Sequence, residues 1–309
     1  MKKIFVDGSV GTTGLRILER LNGRNDVELM LLPEDKRKDP VERKKALNSC
    51  DVAFLCLPDA AAIEAVEMIE NEKVTVIDAS TAHRTNEGWC YGFPELSSDI
   101  AERIPDSKRI AVPGCHASGF ISLVYPLIEA GIISKDIKLT CHSITGYSGG
   151  GKKMIAEYEA EKKDFLLCAP RQYGVAQQHK HLKEMKAICG LSNAPIFCPI
   201  VSDFYSGMTV TVPLFSSDLS FGSIEDIKEI YKKKYSGPIV NYVENGSDDG
   251  FVSAHRLAKK DGMEITVLGN EDRILLIATY DNLGKGASGA AVECLNYVLN
   301  VDPTYGLEL

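Results

Sequence analysis

The sequence lacks long apolar runs, an excess of positive charge and a hydrophobic leader. No stretch approaches the ~20 unbroken apolar residues of a membrane-spanning helix, which argues against a membrane bundle. Lysine and arginine number 35 against 43 aspartates and glutamates, and the resulting charge of −8 argues against a general nucleic-acid binder. Residues 1–8 reach an aspartate and a glycine too early for a signal peptide. We therefore predict a cytoplasmic protein without membrane or nucleic-acid partners.

Paired cysteines are also missing. The nine cysteines are an odd number, and none stands in a CxxC pair. This usage is typical of reduced, mostly buried thiols in a cytosolic protein. Histidines cluster only at His179-Lys180-His181, and no cysteine pair has ligand spacing, so we predict no metal site.

The first half of the chain has the rhythm of an α/β domain. Apolar strands predicted at 3–6, 27–32, 52–57 and 74–77 alternate with helices predicted after residue 14, at 40–48 and at 60–70. Such alternation predicts a doubly wound, Rossmann-type parallel sheet with right-handed crossovers. Because chains longer than ~250–300 residues usually divide, the 309 residues also predict a second domain.

The second half has a different texture. Strands are predicted at 138–144, 196–202, 208–212 and 274–279, with helices near 120–130, 181–189 and 224–235 and a last helix within 286–300. Thr209-Val210-Thr211-Val212 alternates polar and apolar residues, as in an antiparallel sheet with one covered face. This half is predicted to be an α+β domain with a mostly antiparallel sheet.

A glycine turn follows the first predicted strand. Gly8, Gly11 and Gly14 flank Thr12 and Thr13, and a helix begins there. Glycines allow the backbone to approach a pyrophosphate, whose charge is favoured at a helix N-terminus. The spacing is GxxGxxG rather than GxGxxG, but the strand–turn–helix context predicts dinucleotide binding.

Cations follow the second predicted strand. NAD sites usually place a carboxylate there, whereas NADP sites place arginine for the 2′-phosphate. The segment Pro33-Glu34-Asp35-Lys36-Arg37-Lys38 offers both, but its three consecutive cations favour the phosphate of NADP. A solvated basic loop is the alternative.

Cys115 stands out among the nine thiols. It follows Pro113-Gly114 and precedes a helix whose apolar face starts at Phe120. Free amides and the dipole of a helix N-terminus favour a thiolate, and nearby amides can hold an oxyanion. We predict that Cys115 is a nucleophile, with a structural thiol as the alternative.

A cysteine nucleophile needs a partner for proton transfer. His179 and His181 stand at the start of a predicted helix, where Glu184 can orient one of them. His116 is nearer in sequence, but a neighbour normally points away from its predecessor. Two glycine-rich turns, 146–152 and 282–289, are candidates for ligand-facing loops.

Taken in order, these motifs resemble a known family. The ordered segments are the glycine turn, Leu57-Pro58, Ile77-Asp78-Ala79-Ser80, Tyr91-Gly92-Phe93-Pro94-Glu95-Leu96, Pro113-Gly114-Cys115, His179-x-His181-x-x-Glu184 and Asn282-Leu283-Gly284-Lys285-Gly286-Ala287. They are similar to the shorter class of N-acetyl-gamma-glutamyl-phosphate reductases, enzymes of arginine biosynthesis, over essentially the whole chain. The broader superfamily includes the aspartate-semialdehyde and glyceraldehyde-phosphate dehydrogenases.

The resemblance implies NADPH-dependent reduction of an acyl phosphate through a cysteine thioester, in a homo-oligomer (dimer or tetramer). Residues 1–115 with 284–309 would bind NADP, and 116–283 would form the catalytic and oligomerisation domain. The implied catalytic residues are Cys115, His179, Glu184 and Tyr173. The implied cofactor-binding residues are Gly8, Gly11, Thr12, Thr13, Gly14, Arg37, Lys38, Pro58, Ser80, Gly149 and Asn282. The implied substrate-binding residues are Arg84, Ser118, Lys152, Arg171 and His181.

Two segments depart from the longer class of the family. That class has Asp-Phe-Arg where this chain has Ala82-His83-Arg84, and Arg-Gly where it has Ser206-Gly207. The cation that binds the substrate carboxylate is therefore open among Arg171, Lys152 and Arg256. Two further functions also stay open, an aspartate-semialdehyde-type dehydrogenase and a non-catalytic NADPH-binding sensor. Retention of Cys115 with His179 and Glu184 argues against the sensor.

Overall fold

The computed structural model describes all residues 1–309, and the chain forms two compact units. Unit 1 contains Met1–Gly114 and Ala287–Leu307, and unit 2 contains Cys115–Gly286 with Glu308–Leu309. The predicted division, 1–115 with 284–309 against 116–283, differs from these units at Cys115, at residues 284–286 and at residues 308–309. None of the helices combines the length and apolar character that crossing a bilayer requires.

Unit 1 is a six-stranded, all-parallel sheet with helices. Its strands are β1 (Lys2–Asp7), β2 (Val27–Met30), β3 (Val52–Leu55), β4 (Thr75–Asp78), β5 (Cys90–Tyr91) and β6 (Arg109–Ala111). Its helices are α1 (Thr12–Leu21), α2 (Pro40–Ser49), α3 (Asp59–Glu67), α4 (Ser98–Arg103) and, from the end of the chain, α9 (Gly289–Leu299). The strand order is β2-β1-β3-β4-β6-β5, which confirms the predicted doubly wound parallel sheet.

Apolar side chains on both faces of this sheet explain the unbroken apolar strands. One core cluster joins β1, β3, β4 and β6 to α1 and α9, and a second lies beneath α2 and α3. Parallel strands covered on both faces are expected to be apolar throughout. The strands are added in one direction from β1 to β2 and in the other from β3 onward, so the strand order switches between β1 and β3. In such sheets ligands bind beyond the carboxyl ends of the strands at that point.

Unit 2 is a seven-stranded, mostly antiparallel sheet with helices. Its strands are β7 (Thr140–Gly146), β8 (Arg171–Gln172), β9 (Ile196–Ser202), β10 (Met208–Phe215), β11 (Val240–Tyr242), β12 (Met263–Gly269) and β13 (Arg273–Tyr280). Its helices are α5 (Cys115–Glu129), α6 (Gly151–Tyr158), α7 (His181–Cys189) and α8 (Ile224–Lys234). The strand order is β11-β12-β13-β10-β7-β9-β8, with parallel pairs at β7–β9 and β11–β12.

One predicted boundary is wrong in a way that matters for the site. The sequence placed the start of a helix at residue 120, but α5 begins at Cys115. Glycines at 114 and 119 suggested a loop, yet packing against β10, β13 and α7 keeps the segment helical. Tertiary contacts often override weak local propensity in this way.

Candidate active site

Cys115 is the first residue of α5 and is half-buried. Its carbonyl accepts a hydrogen bond from the Tyr280 hydroxyl at 2.5 Å. The glycine turn that follows β13 comes close, since a methyl group on Gly286 would lie 3.0 Å from the Cys115 Cβ. Cys115 therefore stands at a helix N-terminus, where exposed amides favour a thiolate.

Buried cysteines elsewhere in the chain have a different environment. Burial raises the pKa of Cys50 to about 12, and it also raises the pKa values of Cys56, Cys141 and Cys189. These thiols remain protonated at neutral pH. Cys168 is exposed and Cys198 is half-buried like Cys115, so a labelling experiment must control for both.

His116 lies at the centre of the histidine cluster, contrary to the expectation that it points away. Its Nε2 lies 2.5 Å from the Tyr173 hydroxyl, and its Nδ1 lies 2.7 Å from the Ser143 hydroxyl. Consecutive residues on a helix point about 100° apart, so both Cys115 and His116 can border one site. Burial, and secondarily the charge of His179, lowers the pKa of His116 to about 3. This imidazole is a neutral hydrogen-bonding group.

His179 and His181 complete the cluster. Their ring centroids are 4.7 Å apart, and they lie 5.8 Å and 5.6 Å from that of His116. His179 precedes α7 and is half-buried, and its Nδ1 accepts a hydrogen bond from the His181 amide at 3.2 Å. With Nδ1 engaged as an acceptor, a neutral His179 carries its proton on Nε2. His181 is the first residue of α7 and is buried.

Tyr173 and Glu184 were predicted to support His179. The Tyr173 hydroxyl instead bonds to His116, while its ring meets that of His179 edge-on at 6.0 Å. Burial raises the pKa of Tyr173, with a smaller contribution from Cys115, so the phenol keeps its proton. Glu184 is buried on α7, a helix that packs against α5.

Unit 1 carries the predicted dinucleotide turn. Gly8 has φ +84°, and a Cβ there would lie 2.2 Å from the Cys56 carbonyl oxygen, so only glycine fits. Its carbonyl accepts a hydrogen bond from the Gly11 amide at 2.9 Å, and α1 begins at Thr12. Thr12, Thr13 and Gly14 therefore form the first turn of a helix whose amides point toward the turn.

A cavity of about 400 Å³ adjoins this turn and is lined by three cationic side chains. Arg37 and Lys38 line it together with Gly8, and so does Arg43, which the sequence did not single out. The Arg43 guanidinium donates to Asp7 Oδ2 at 3.0 and 3.1 Å, and both side chains are buried. Burial raises the pKa of Asp7, although the Arg43 hydrogen bond opposes that shift.

Two other predicted cofactor residues follow neighbouring strands. Pro58 caps α3 just after β3, and Ser80 follows β4 and donates to Asp78 Oδ2 at 2.7 Å. The ends of the strands align, since Asp7 pairs with Leu55 and Leu55 with Asp78. Pro58 and Ser80 thus share the carboxyl edge of the sheet with Gly8.

Gly149 and Asn282 belong to unit 2. Asn282 is buried, its Nδ2 donates to the Ser148 hydroxyl at 2.9 Å, and its Oδ1 accepts from the Gly207 amide at 3.0 Å. A methyl group on Gly149 would lie 3.5 Å from Asn282 Nδ2. The structure therefore joins the two predicted glycine-rich turns to each other through Asn282.

The predicted substrate residues lie on several elements. Arg84 is buried in unit 1, where it donates to the carbonyls of Val112 (2.9 Å) and Ala79 (3.2 Å). Ser118 is fully buried on α5, and Lys152 is exposed on α6. Arg171 donates to the Tyr158 hydroxyl at 3.0 Å. Arg256 pairs with Glu264 at 2.9 Å.

Sequence reasoning missed Ser143, Phe197 and Tyr280. Phe197 packs edge-on against His116 and His179, with ring centroids 5.2 Å from each. Ser143 carried a usable signal, because it is a polar residue at a buried, alternating position of β7. Arg43 carried no comparable signal in the sequence, since its partner Asp7 is distant along the chain.

Two domain models of one protein family match most of the chain. Residues 3–104 match "Semialdehyde dehydrogenase, NAD binding domain", and residues 115–282 match "Semialdehyde dehydrogenase, dimerisation domain".

Similar full-length proteins carry one name. The N-acetyl-gamma-glutamyl-phosphate reductase 2 of Nostoc sp. is 43% identical, with 99% of each chain covered. The N-acetyl-gamma-glutamyl-phosphate reductase of Sinorhizobium medicae is 44% identical, covering 96% of this chain and 99% of that one.

Solved structures share the fold at low identity. Aspartate semialdehyde dehydrogenase II from Vibrio cholerae superposes with a TM-score of 0.73 at 17% identity, covering 97% of this chain and 99% of that one. Aspartate semialdehyde dehydrogenase with NADP from Candida albicans gives a TM-score of 0.65 at 14% identity, covering 97% and 99%. At such identities the likeness concerns the fold alone.

Proposed function

The chain belongs to the semialdehyde dehydrogenase family, among its N-acetyl-gamma-glutamyl-phosphate reductases, and on this basis we propose its reaction. It reduces N-acetylglutamyl 5-phosphate to N-acetylglutamate 5-semialdehyde and phosphate, a step of arginine biosynthesis. The observation that carries the proposal is the match over nearly the whole chain to reductases of that name. The half-buried Cys115 at the start of α5 supplies the required nucleophile.

Covalent capture begins at Cys115. Its sulfur forms a bond to the acyl carbon, the bond from that carbon to the phosphate oxygen breaks, and phosphate leaves with the electron pair. The resulting thioester accepts hydride more readily than a carboxylate would. After reduction, the carbon–sulfur bond of the hemithioacetal breaks, which releases the aldehyde and restores the thiolate.

The substrate oxygen becomes anionic when the thiolate attacks the acyl carbon and again when the thioester is reduced, so the site needs hydrogen-bond donors. A neutral His179 presents Nε2–H because its Nδ1 is engaged by the His181 amide. We assign to Nε2 the donation of a proton or hydrogen bond to substrate oxygen. Tyr173 stays protonated beside His116, and we assign it the orientation of the cluster.

The cofactor site is proposed in unit 1. A Cβ at Gly8 would fill the turn, and the adjoining cavity carries Arg37, Lys38 and Arg43, so the residues fit an anionic dinucleotide. A bound reduced nicotinamide dinucleotide supplies the hydride for the thioester. We assign the pyrophosphate to the Gly8–Gly14 turn and a 2′-phosphate to Arg37 and Lys38, which favours NADP over NAD.

An oligomer is part of the proposal. The register places Ile144, Ile196, Phe215 and Leu275 on one face of the unit 2 sheet, and they are 40–61% exposed. The opposite face is covered by α5 and α8. We assign the exposed face to subunit contact. Leu275→Arg is expected to lower the molecular mass measured by light scattering, and an unchanged mass would reject this face as the interface.

The reaction is tested by absorbance at the nicotinamide band. Purified protein is mixed with N-acetylglutamate semialdehyde, phosphate and NADP⁺, and parallel samples contain aspartate semialdehyde or NAD⁺. We expect phosphate-dependent formation of NADPH with the N-acetylated substrate and much slower turnover with aspartate semialdehyde. Preference for aspartate semialdehyde, or turnover that does not need phosphate, would overturn the proposal.

A further inference from the structure

Helix α5 is held by three buried tyrosines whose hydroxyls bond to its backbone. Tyr235 donates to the Ser122 carbonyl at 2.6 Å, and Tyr231 of α8 donates to the Leu123 carbonyl. Ser122 lies four residues before Pro126, which has no N–H to offer its carbonyl. Tyr235 therefore satisfies a carbonyl that the proline leaves without its helical donor.

Tyr280 bonds to the same helix for a different reason. Its hydroxyl accepts a hydrogen bond from the Gly119 amide at 3.0 Å and donates one to the Cys115 carbonyl at 2.5 Å. Cys115 and Gly119 are an i, i+4 pair, whose carbonyl and amide an α-helix joins directly. No missing donor requires this tyrosine. Tyr280 bridges a carbonyl and an amide that an α-helix pairs with each other in any case.

The side chains around this hydrogen-bond bridge are tightly packed. A Cβ on Gly119 would lie 2.6 Å from the Tyr280 hydroxyl and 2.6 Å from Cγ2 of Val210. Tyr280 is fully buried, and burial raises its pKa well above its usual value, with Cys115 as the next contributor. The phenol therefore remains a donor to the Cys115 carbonyl throughout the working pH range.

We propose that Tyr280 is a positioning residue for the nucleophile, whose backbone it fixes by bridging the first turn of α5. The proposal rests on the proposed role of Cys115. The first turn of a helix is the part most prone to fraying, because its amides lack intrahelical partners. A misplacement of the attacking atom by 1 Å can cost about 100-fold in rate.

The test compares Tyr280→Phe with Tyr235→Phe, because each removes one buried hydroxyl that bonds to α5. Tyr280→Phe is expected to lower kcat by roughly 10–100-fold with little change in KM for NADPH. Its melting temperature should hardly move, since the Cys115 carbonyl and Gly119 amide are an i, i+4 pair of α5 and have each other as helical partners without the tyrosine. Tyr235→Phe is expected to show the reverse, with kcat within two-fold and melting roughly 2–10 °C lower, because a buried carbonyl loses its donor.

Gly119→Ala provides a second route to the same bridge. The added methyl group displaces the Tyr280 hydroxyl, so kcat should fall to a similar extent. It also presses against Val210, so the melting temperature of this variant should fall as well. The double variant Gly119→Ala/Tyr280→Phe should lose little more than either single variant, because both remove one interaction. Fully additive losses would count against the bridge.

A readout independent of substrate separates this proposal from the proposed function. In a Cys168→Ser/Cys198→Ser background, Tyr280→Phe should slow iodoacetamide alkylation of Cys115 at pH 7 by about three-fold, because the thiolate depends on its place at the helix N-terminus. If the wild type shows no turnover, the proposed function fails and the alkylation rates alone judge Tyr280. Unchanged alkylation, with kcat within two-fold where turnover exists, would overturn the positioning role.

Discussion

The glycine turn of unit 1 and the histidine cluster of unit 2 are built from opposite materials. The turn is one continuous stretch, Gly8–Gly14, and the groups to which we assign cofactor binding there are backbone amides. The cluster draws side chains from α5, β7, the segment before α7 and β9. A backbone site is damaged by adding an atom such as a Cβ. A side-chain site is damaged by removing or turning a functional group.

Their electrostatics differ as well. Beside the turn, Arg37, Lys38 and Arg43 line a cavity suited to anions. In the cluster, burial lowers the pKa of His116 to about 3 and raises that of Tyr173, so both side chains are neutral. The first region attracts charge from solution, and the second provides oriented donors with little charge of their own.

The largest effect on turnover is expected at the sulfur of Cys115, the atom that we assign to nucleophilic attack. Cys115→Ala should abolish turnover, while folding and NADPH binding stay nearly intact, because the groups assigned to the pyrophosphate and the 2′-phosphate lie in unit 1. Steady-state assays and NADPH fluorescence titration measure the two properties on one sample. Retained turnover would remove Cys115 from the chemistry.

The next effect distinguishes the two histidines of the motif. His179→Asn should lower kcat by roughly 10²–10⁴-fold, as for a lost proton-transfer group. His181→Asn should mainly reduce stability or substrate affinity, because His181 is buried at the start of α7. Kinetics and thermal melting of both variants check this. The opposite pattern would exchange their roles.

A smaller effect is expected at the cavity beside the turn. Arg37→Ala should weaken NADPH binding by about 1.5–3 kcal/mol, the value of a charged hydrogen bond, and leave NADH binding nearly unchanged. Lys36→Ala is the matched control, since Lys36 carries the same charge and pairs with Glu42 as Arg37 pairs with Glu34, but it does not line the cavity. Equal losses for both cofactors would mean that Arg37 only supports the fold.

The smallest effect concerns stability in acid. His116 has a folded-state pKa of about 3 against an ordinary 6.5, so the unfolded chain binds a proton that the folded chain excludes. Its contribution is fully present above pH 6.5 and is lost as pH falls toward 3, at up to about 1.4 kcal/mol per pH unit.

The loss of stability is measured as the change in the midpoint of urea unfolding between pH 7.5 and pH 5. His116→Asn should remove part of the difference between the two midpoints that the wild type shows. An identical difference in both proteins would mean that His116 titrates normally.

Local patterns predicted the turn well and the cluster only in part. The glycine spacing, the apolar strands and the cations each occupy a short stretch, so sequence alone located them. The hydroxyl of Tyr173 bonds to His116 and its ring lies edge-on to that of His179, and both contacts depend on how distant segments pack. The helix start at Cys115 was missed because its neighbouring glycines mimic a loop.

The role of Cys115 is tested most directly by trapping the acyl-enzyme. Protein without reduced cofactor is mixed with N-acetylglutamyl phosphate generated in situ, quenched in acid, digested and analysed by mass spectrometry. We expect one N-acetylglutamyl group on the peptide that contains Cys115, and its loss on treatment with hydroxylamine. An unmodified Cys115, or an acyl group on Cys168 or another cysteine instead, would contradict the account.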